Sequence, residues 1–215
     1  MILRRSLQLG AVVGVVAALS GCSILKTPPP VQMYRFGLPM EAPFTSTDTP
    51  APVAVSVRRI DFPAASGDER ILGVTGTEAA YIGGARWVSP AATLFDDSLK
   101  AAFAQRADRI RLLDRREPGA APVVLQVSVT TFEARYAAPG AAPDVVVTAR
   151  AQLRLTPPER GTGAGQAIQP RSVERIFTVT QPAGENRVSA IVAAFDTATR
   201  DINTQIADWT VQSAS

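Results

Sequence analysis

The chemistry legible in this chain begins at one thiol. Cys22 is the only cysteine among 215 residues, and it ends the run Leu19-Ser20-Gly21-Cys22. A thiol so placed can become the thioether that carries diacylglycerol. Ser20 and Gly21 are small enough to let an extended backbone into a peptidase cleft. Upstream, Arg4 and Arg5 precede Leu7 to Leu19, 13 residues in which Gln8 is the one polar side chain. That stretch is too short to cross about 30 Å of hydrocarbon as a helix and has the size of a signal-peptide h-region. Residues 1–21 are therefore read as a lipoprotein signal peptide. Residues 22–30 are read as a lipidated tether, stiffened by Pro28-Pro29-Pro30, and residues 31–215 as a single domain. With palmitate or a similar acyl chain on its nitrogen and diacylglycerol on its sulfur, Cys22 offers no disulfide or redox chemistry. Ser23 follows it. By the sorting rule in which aspartate at that place retains a lipoprotein at the inner membrane, serine predicts the outer membrane, facing the periplasm, with the inner membrane as second choice.

Catalytic residue types are sparse. The chain has no histidine, which removes Ser-His-Asp and Cys-His arrangements and the commonest zinc ligand. Gly161 to Gly165 reads GTGAG, but no Lys-Ser/Thr follows it to complete a phosphate loop. Asp68-Glu69 and Asp96-Asp97 are paired carboxylates. On a helix, however, neighbours such as Asp96 and Asp97 point about 100° apart and cannot share a cleft. No metal, no cofactor and no enzymatic activity are expected. Loss of Arg4 and Arg5 leaves 20 basic against 19 acidic side chains. Such a near-neutral chain lacks the one-sided basic excess of a nucleic-acid binder.

Binding residues are easier to find. Arg86 and Trp87 are adjacent in a stretch read as strand, so they face opposite ways: Trp87 can pack inward while Arg86 stays free to pair with a carboxylate. Together they are the candidate partner or self-association surface, homo-oligomers included. Tyr34, Phe36 and Tyr81 are candidates for an apolar groove. The bland alternative for all these aromatic side chains is a place in the core.

The elements that must position these residues follow from periodicity. Val31 to Phe36 is predicted as a first strand, and the proline-rich residues 37–52 as a long connection. Val53 to Ile60 alternates with Val53, Val55 and Val57 inward. Arg70 to Thr75 and Glu78 to Ile82 are short strands, and Tyr81 to Val88 reads as a hairpin turning at Gly83-Gly84. Ser89 is predicted to cap a helix over about 90–106 with Pro90 in its first turn, and Leu94, Phe95, Leu99, Ala102 and Phe103 on its apolar face. Arg109 to Asp114 is a short strand. Val123 to Val129 is a strand whose pattern continues less purely to Tyr136, and Val145 to Leu155 is its antiparallel neighbour. Residues 157–170 read as a loop, Arg171 to Thr180 as a strand with Val173, Phe177 and Val179 inward, and Arg187 to Trp209 as a closing amphipathic helix. The sum is an α+β fold: an antiparallel or mixed sheet with two main helices packed on one face.

In this order the pieces resemble the ABC-type transport auxiliary lipoprotein family, to which the Pqi-type lipoproteins belong. The resemblance rests on Cys22, on Tyr34-Arg35-Phe36, and on Val55-x-Val57-x-x-Ile60-x-x-Pro63. It continues through Ile71 and Tyr81-Ile82 to Arg86-Trp87-Val88-Ser89-Pro90, which leads into the helix of Leu94, Leu99 and Phe103. One departure is Ala64-Ala65, where the family usually shows Tyr-Leu. The resemblance implies a non-enzymatic accessory that works with an MCE-domain protein, an ABC permease and an ATPase in envelope lipid transport. It would dock or receive the conduit at the outer membrane. The alternative is a periplasmic carrier that itself holds an acyl chain between sheet and helix.

Overall fold

A computed structural model describes residues 30–37, 51–113, 121–156 and 170–214. The chain divides into Met1–Val31 and Gln32–Ser215, and the fold below is that of the second unit. Among the described residues its strands are β1 (Gln32–Tyr34), β2 (Val53–Val57), β3 (Arg70–Thr75), β4 (Glu78–Trp87), β5 (Ile110–Leu112), β6 (Val123–Tyr136), β7 (Asp144–Leu155) and β8 (Arg171–Pro182). Its helices are α1 (Ala91–Ala104) and α2 (Val188–Ala214). The fold is α+β with a mixed sheet, as the alternation predicts. Cys22, Ser23, the tether to Pro29 and the Gly161–Gly165 run lie outside the described residues.

β6 is the spine. One edge pairs antiparallel with β7 along its length, and β7 pairs with β8. The other edge is shared. β2 runs parallel to its beginning, Val55 opposite Val123, and β3 runs parallel to its end, Gly73 opposite Ala134. β5 extends the first ribbon; β4 and then β1 extend the second. Between the ribbons, Asp61 bridges to Ser128. Its amide donates to the Val127 carbonyl, and its carboxylate accepts from Ser128 Oγ at 3.1 Å and Gln126 Nε2 at 3.2 Å.

The less regular pattern after Val129 has a physical cause. The register shifts between Val129 and Thr131, a bulge that leaves one residue unpaired and swaps which parity faces inward. Buried positions therefore change from 123, 125, 127 and 129 to Phe132 and Ala134.

Two local readings are corrected. Gly83-Gly84 is not a hairpin turn: β4 continues through it to Trp87, and the β3–β4 turn lies at Gly76, with φ 57°. The glycines sit instead in a large irregularity. Arg70 pairs with Arg86 while Leu72 pairs with Tyr81, so β4 fits extra residues between those pairs. Gly84, with φ 71°, supplies the left-handed backbone that this requires. At α1, Pro90 rather than Ser89 is the N-cap residue, and no side chain caps the helix. Its first amides are satisfied by the preceding loop, Ala91 N–H by the Asp68 carbonyl at 3.0 Å and Ala92 N–H by Gly67 at 3.1 Å.

The core lies between the inner face of the sheet and the helices. Its centre is a closed circuit of rings: Phe36 on Trp87, Trp87 on Phe195, Phe195 on Phe132, Phe132 on Phe36, with centroids 4.8–5.4 Å apart. Phe62 joins Phe132 to Phe95 of α1. A second contact, Phe177 on Trp209, fixes α2 beneath β8. The predicted stripe on α2 is inside, with Ile191, Val192, Phe195, Ile202, Ile206 and Trp209 all buried. Arg106 ties α1 to α2, its guanidinium 2.7 Å from Asp208 and donating to the Ala102 carbonyl.

Candidate functional site

The sequence candidates separate cleanly by burial. Alternation at the end of β4 puts Ala85 and Trp87 inside and Arg86 outside. Trp87 is fully enclosed and Phe36 is 1% exposed. Their rings meet edge to face at 4.8 Å, a core contact. Any partner at this place therefore meets Arg86 and not the indole. Tyr34 lies opposite Trp87 on β1, half-buried, its hydroxyl donating to Gln32 Oε1. Tyr81 is exposed. The structure does not bring Tyr34, Phe36 and Tyr81 together as a groove: Phe36 is part of the core circuit, and Tyr81 belongs to the outer surface.

What the outer surface does assemble around Arg86 comes from other strands. Arg86 stands opposite Arg70 of β3 and beside Met33 of β1. The Arg70 guanidinium lies 3.8 Å over the ring of Tyr81, a cation–π contact. Met33 is 53% exposed. Neither Arg70 nor Arg86 has an ion-pair carboxylate among the described residues. By contrast Arg106, Arg135, Arg150, Arg187 and Arg200 each have one within 4 Å. Sequence reasoning missed Arg70 and Met33 because strand register decides their position, and no local pattern encodes that three-strand register.

Asp96 pairs with Lys100 at 2.6 Å, one turn along α1, as its spacing predicts. Asp68 and Glu69 give their backbone carbonyls to Ala91 and Trp87 amides. No group of three or more metal-ligating side chains occurs among the described residues. A surface hollow of about 580 Å³ lies between residues 59–68 and the start of α1, with Asp61, Phe62, Ala64 and Thr93 in its wall. Another, about 420 Å³, lies between α1 and α2 around Ser98, Ala102 and Arg200. Among the described residues, the one perturbed acidity is that of Tyr136, which burial pushes above its ordinary value.

No helix among the described residues is long and apolar enough to cross a membrane. Two solved structures share the fold. A protein from Xanthomonas campestris is 24% identical with a TM-score of 0.63, over 84% of this chain and 95% of its own. An uncharacterized protein is 15% identical with a TM-score of 0.60, over 84% of this chain and 98% of its own. No curated protein matches the chain. Residues 34–207, nearly the whole of the sheet-and-helix unit, match the description "ABC-type transport auxiliary lipoprotein component", and the chain belongs to that family.

Proposed function

We propose that this chain is a non-enzymatic accessory of an ABC/MCE-type lipid transport system, held by acyl chains on Cys22 at the periplasmic face of the outer membrane. Its partners would be an MCE-domain protein, an ABC permease and an ATPase. The observation that carries the reading is the conjunction of Leu19-Ser20-Gly21-Cys22 behind a short apolar run with a family match over residues 34–207. Ser23, not aspartate, supports the outer membrane. A chain tethered there can meet the far end of a conduit driven from the inner membrane, and such a role needs an exposed docking face rather than a catalytic centre.

The carrier reading, an acyl chain between sheet and helix, would have to displace packed rings. Phe36, Trp87, Phe132 and Phe195 already fill the centre of that layer. We therefore favour the docking accessory.

The test is acylation together with location. Native protein grown with a fatty-acid analogue should carry the label and fractionate with the outer membrane, and Cys22→Ala should lose both. Unchanged labelling in Cys22→Ala would sink the anchor. Recovery of the native protein wholly in the inner membrane would overturn the sorting argument. Crosslinked membranes should yield the MCE and permease proteins with the labelled chain, and their consistent absence would remove the partner assignment.

A further inference from the structure

We infer that Arg70 and Arg86 form an anion site on the open face of the sheet that receives the phosphate of a membrane phospholipid. Met33 and Tyr81 flank it with apolar surface for the glycerol and first acyl carbons. The inference rests on the lipid-anchored reading for the source of that phosphate.

Three observations carry it. First, Arg70 and Arg86 are directly opposite each other on neighbouring antiparallel strands. Side chains in that relation start about 4.5–5.5 Å apart at Cβ, and like charges so placed repel. Several arginines of the described surface, among them Arg135, Arg150 and Arg187, are relieved by carboxylates. Arg70 and Arg86 have none among the described residues, so an anion between them would turn repulsion into attraction. A phosphate suits the place, because two planar forks can each offer paired N–H donors to its oxygens.

Second, the Arg70 guanidinium is stacked on Tyr81 at 3.8 Å. The stack fixes the plane of one fork before any ligand arrives, which lowers the entropy lost on binding. The same ring, with Met33 beside Arg86, adds apolar surface next to the charge. A free inorganic phosphate has no use for that surface; a phospholipid has.

Third, covalent connection limits the distance to the membrane. Met33 stands eleven positions after Cys22, and fully extended chain covers at most about 3.3–3.6 Å per residue, or about 40 Å here. A chain acylated at Cys22 therefore keeps this patch within reach of headgroups at high local concentration.

The test uses the mature protein in vesicles of phosphatidylglycerol, in vesicles of digalactosyl diacylglycerol, which carries no phosphate, and in maltoside micelles with and without inorganic phosphate. Phenylglyoxal modification is followed by peptide mass spectrometry, with Arg58 and Arg154, both exposed, as references. Arg70 and Arg86 should react about ten-fold more slowly in phosphatidylglycerol than in the glycolipid, a difference worth about 1.4 kcal/mol. Arg58 and Arg154 should change little. Arg86→Gln, folded by circular dichroism, should abolish the protection of Arg70. Equal rates in both vesicles, or equal protection of the reference arginines, would overturn the site. So would equal protection by inorganic phosphate alone, which would make it a free-phosphate site. If Arg86→Gln left lipid protection intact but lost the MCE protein in a pull-down, the arginines would serve a protein carboxylate instead, and the lipid assignment would fall. Intact mass reports acylation separately. An acylated protein without protection overturns the site and spares the anchor; an unacylated one protected by added vesicles does the reverse.

Discussion

Gly37, just after β1, shows how a single position couples the first strand to both helices. Its φ is 67°, a region that L side chains enter at a cost of roughly 1–2 kcal/mol. A Cβ built there would lie 2.6 Å from Ser98 Cβ and 2.9 Å from Ser98 Oγ of α1, far inside contact distance. Its amide donates to Asp196 Oδ1 of α2 at 2.8 Å, and Asp196 also holds Arg200 at 2.6 Å. Gly37→Ala should therefore combine backbone strain with a clash against a packed helix, for a loss of about 2–4 kcal/mol. Urea unfolding of the variant measures it, and a loss under about 0.5 kcal/mol, the range of an ordinary surface change, would show that β1 and α1 separate without penalty. Nothing in the sequence distinguishes Gly37 from any other loop glycine, because Ser98 is far along the chain. Arg86 and Trp87 were legible, since adjacency in a strand is enough to split them between surface and core. Phe62 was not singled out, although its ring joins Phe132 to Phe95. It lies in an irregular segment where period two gives no signal.

At the scale of elements, α2 carries the clearest disagreement between pattern and packing. Its apolar stripe was legible at helical spacing, yet Thr199 and Asn203, one turn apart, are also fully buried. Neither Thr199 Oγ1 nor the Asn203 amide atoms have a hydrogen-bond partner among the described residues. An unsatisfied buried hydroxyl costs about 1–3 kcal/mol, while Thr and Val have nearly the same helix propensity and shape. Thr199→Val should thus raise stability by about 1 kcal/mol in denaturant unfolding with an unchanged m-value. A decrease would mean that the hydroxyl is satisfied and serves the packing of α2. The strands tell a related story. Long regular alternation located β7 to within a residue and β6 from Val123 to Val129, because both bury one face and expose the other there; the bulge after Val129 breaks that signal over the rest of β6. The same reading failed at Gly83-Gly84, where two glycines in a strand carry a bulge and resemble a tight turn in every local respect. Only the partner strand, through the register of Arg70 with Arg86 and Leu72 with Tyr81, tells the two apart.

At the scale of the whole molecule, the sheet poses a question of cooperativity. β6 has two ribbons on one edge, β2–β5 along its first residues and β3–β4–β1 along its last, joined there by the Asp61 bridge. A branched sheet of this kind would come apart in stages if each ribbon had its own core. It does not: Phe132 of β6 touches Phe36 after β1, Phe62 between the ribbons and Phe195 of α2. One side chain thus belongs to every layer. Phe132→Ala should cost about 3–5 kcal/mol, the range for a buried aromatic truncated to alanine. It should also destabilise the ribbons and helices together. The measurement is unfolding of a Trp209→Phe background, in which Trp87 fluorescence reports the β4 ribbon and far-ultraviolet circular dichroism reports mainly the helices. In that background the two transitions should coincide, as two-state unfolding requires. Adding Phe132→Ala should move both midpoints down by the same amount. If the Trp87 transition shifted while the helical signal held, the β3–β4–β1 ribbon would be a separate cooperative unit. The open face around Arg70 and Arg86 could then rearrange on its own, because that ribbon and not the β6–β8 meander carries both arginines.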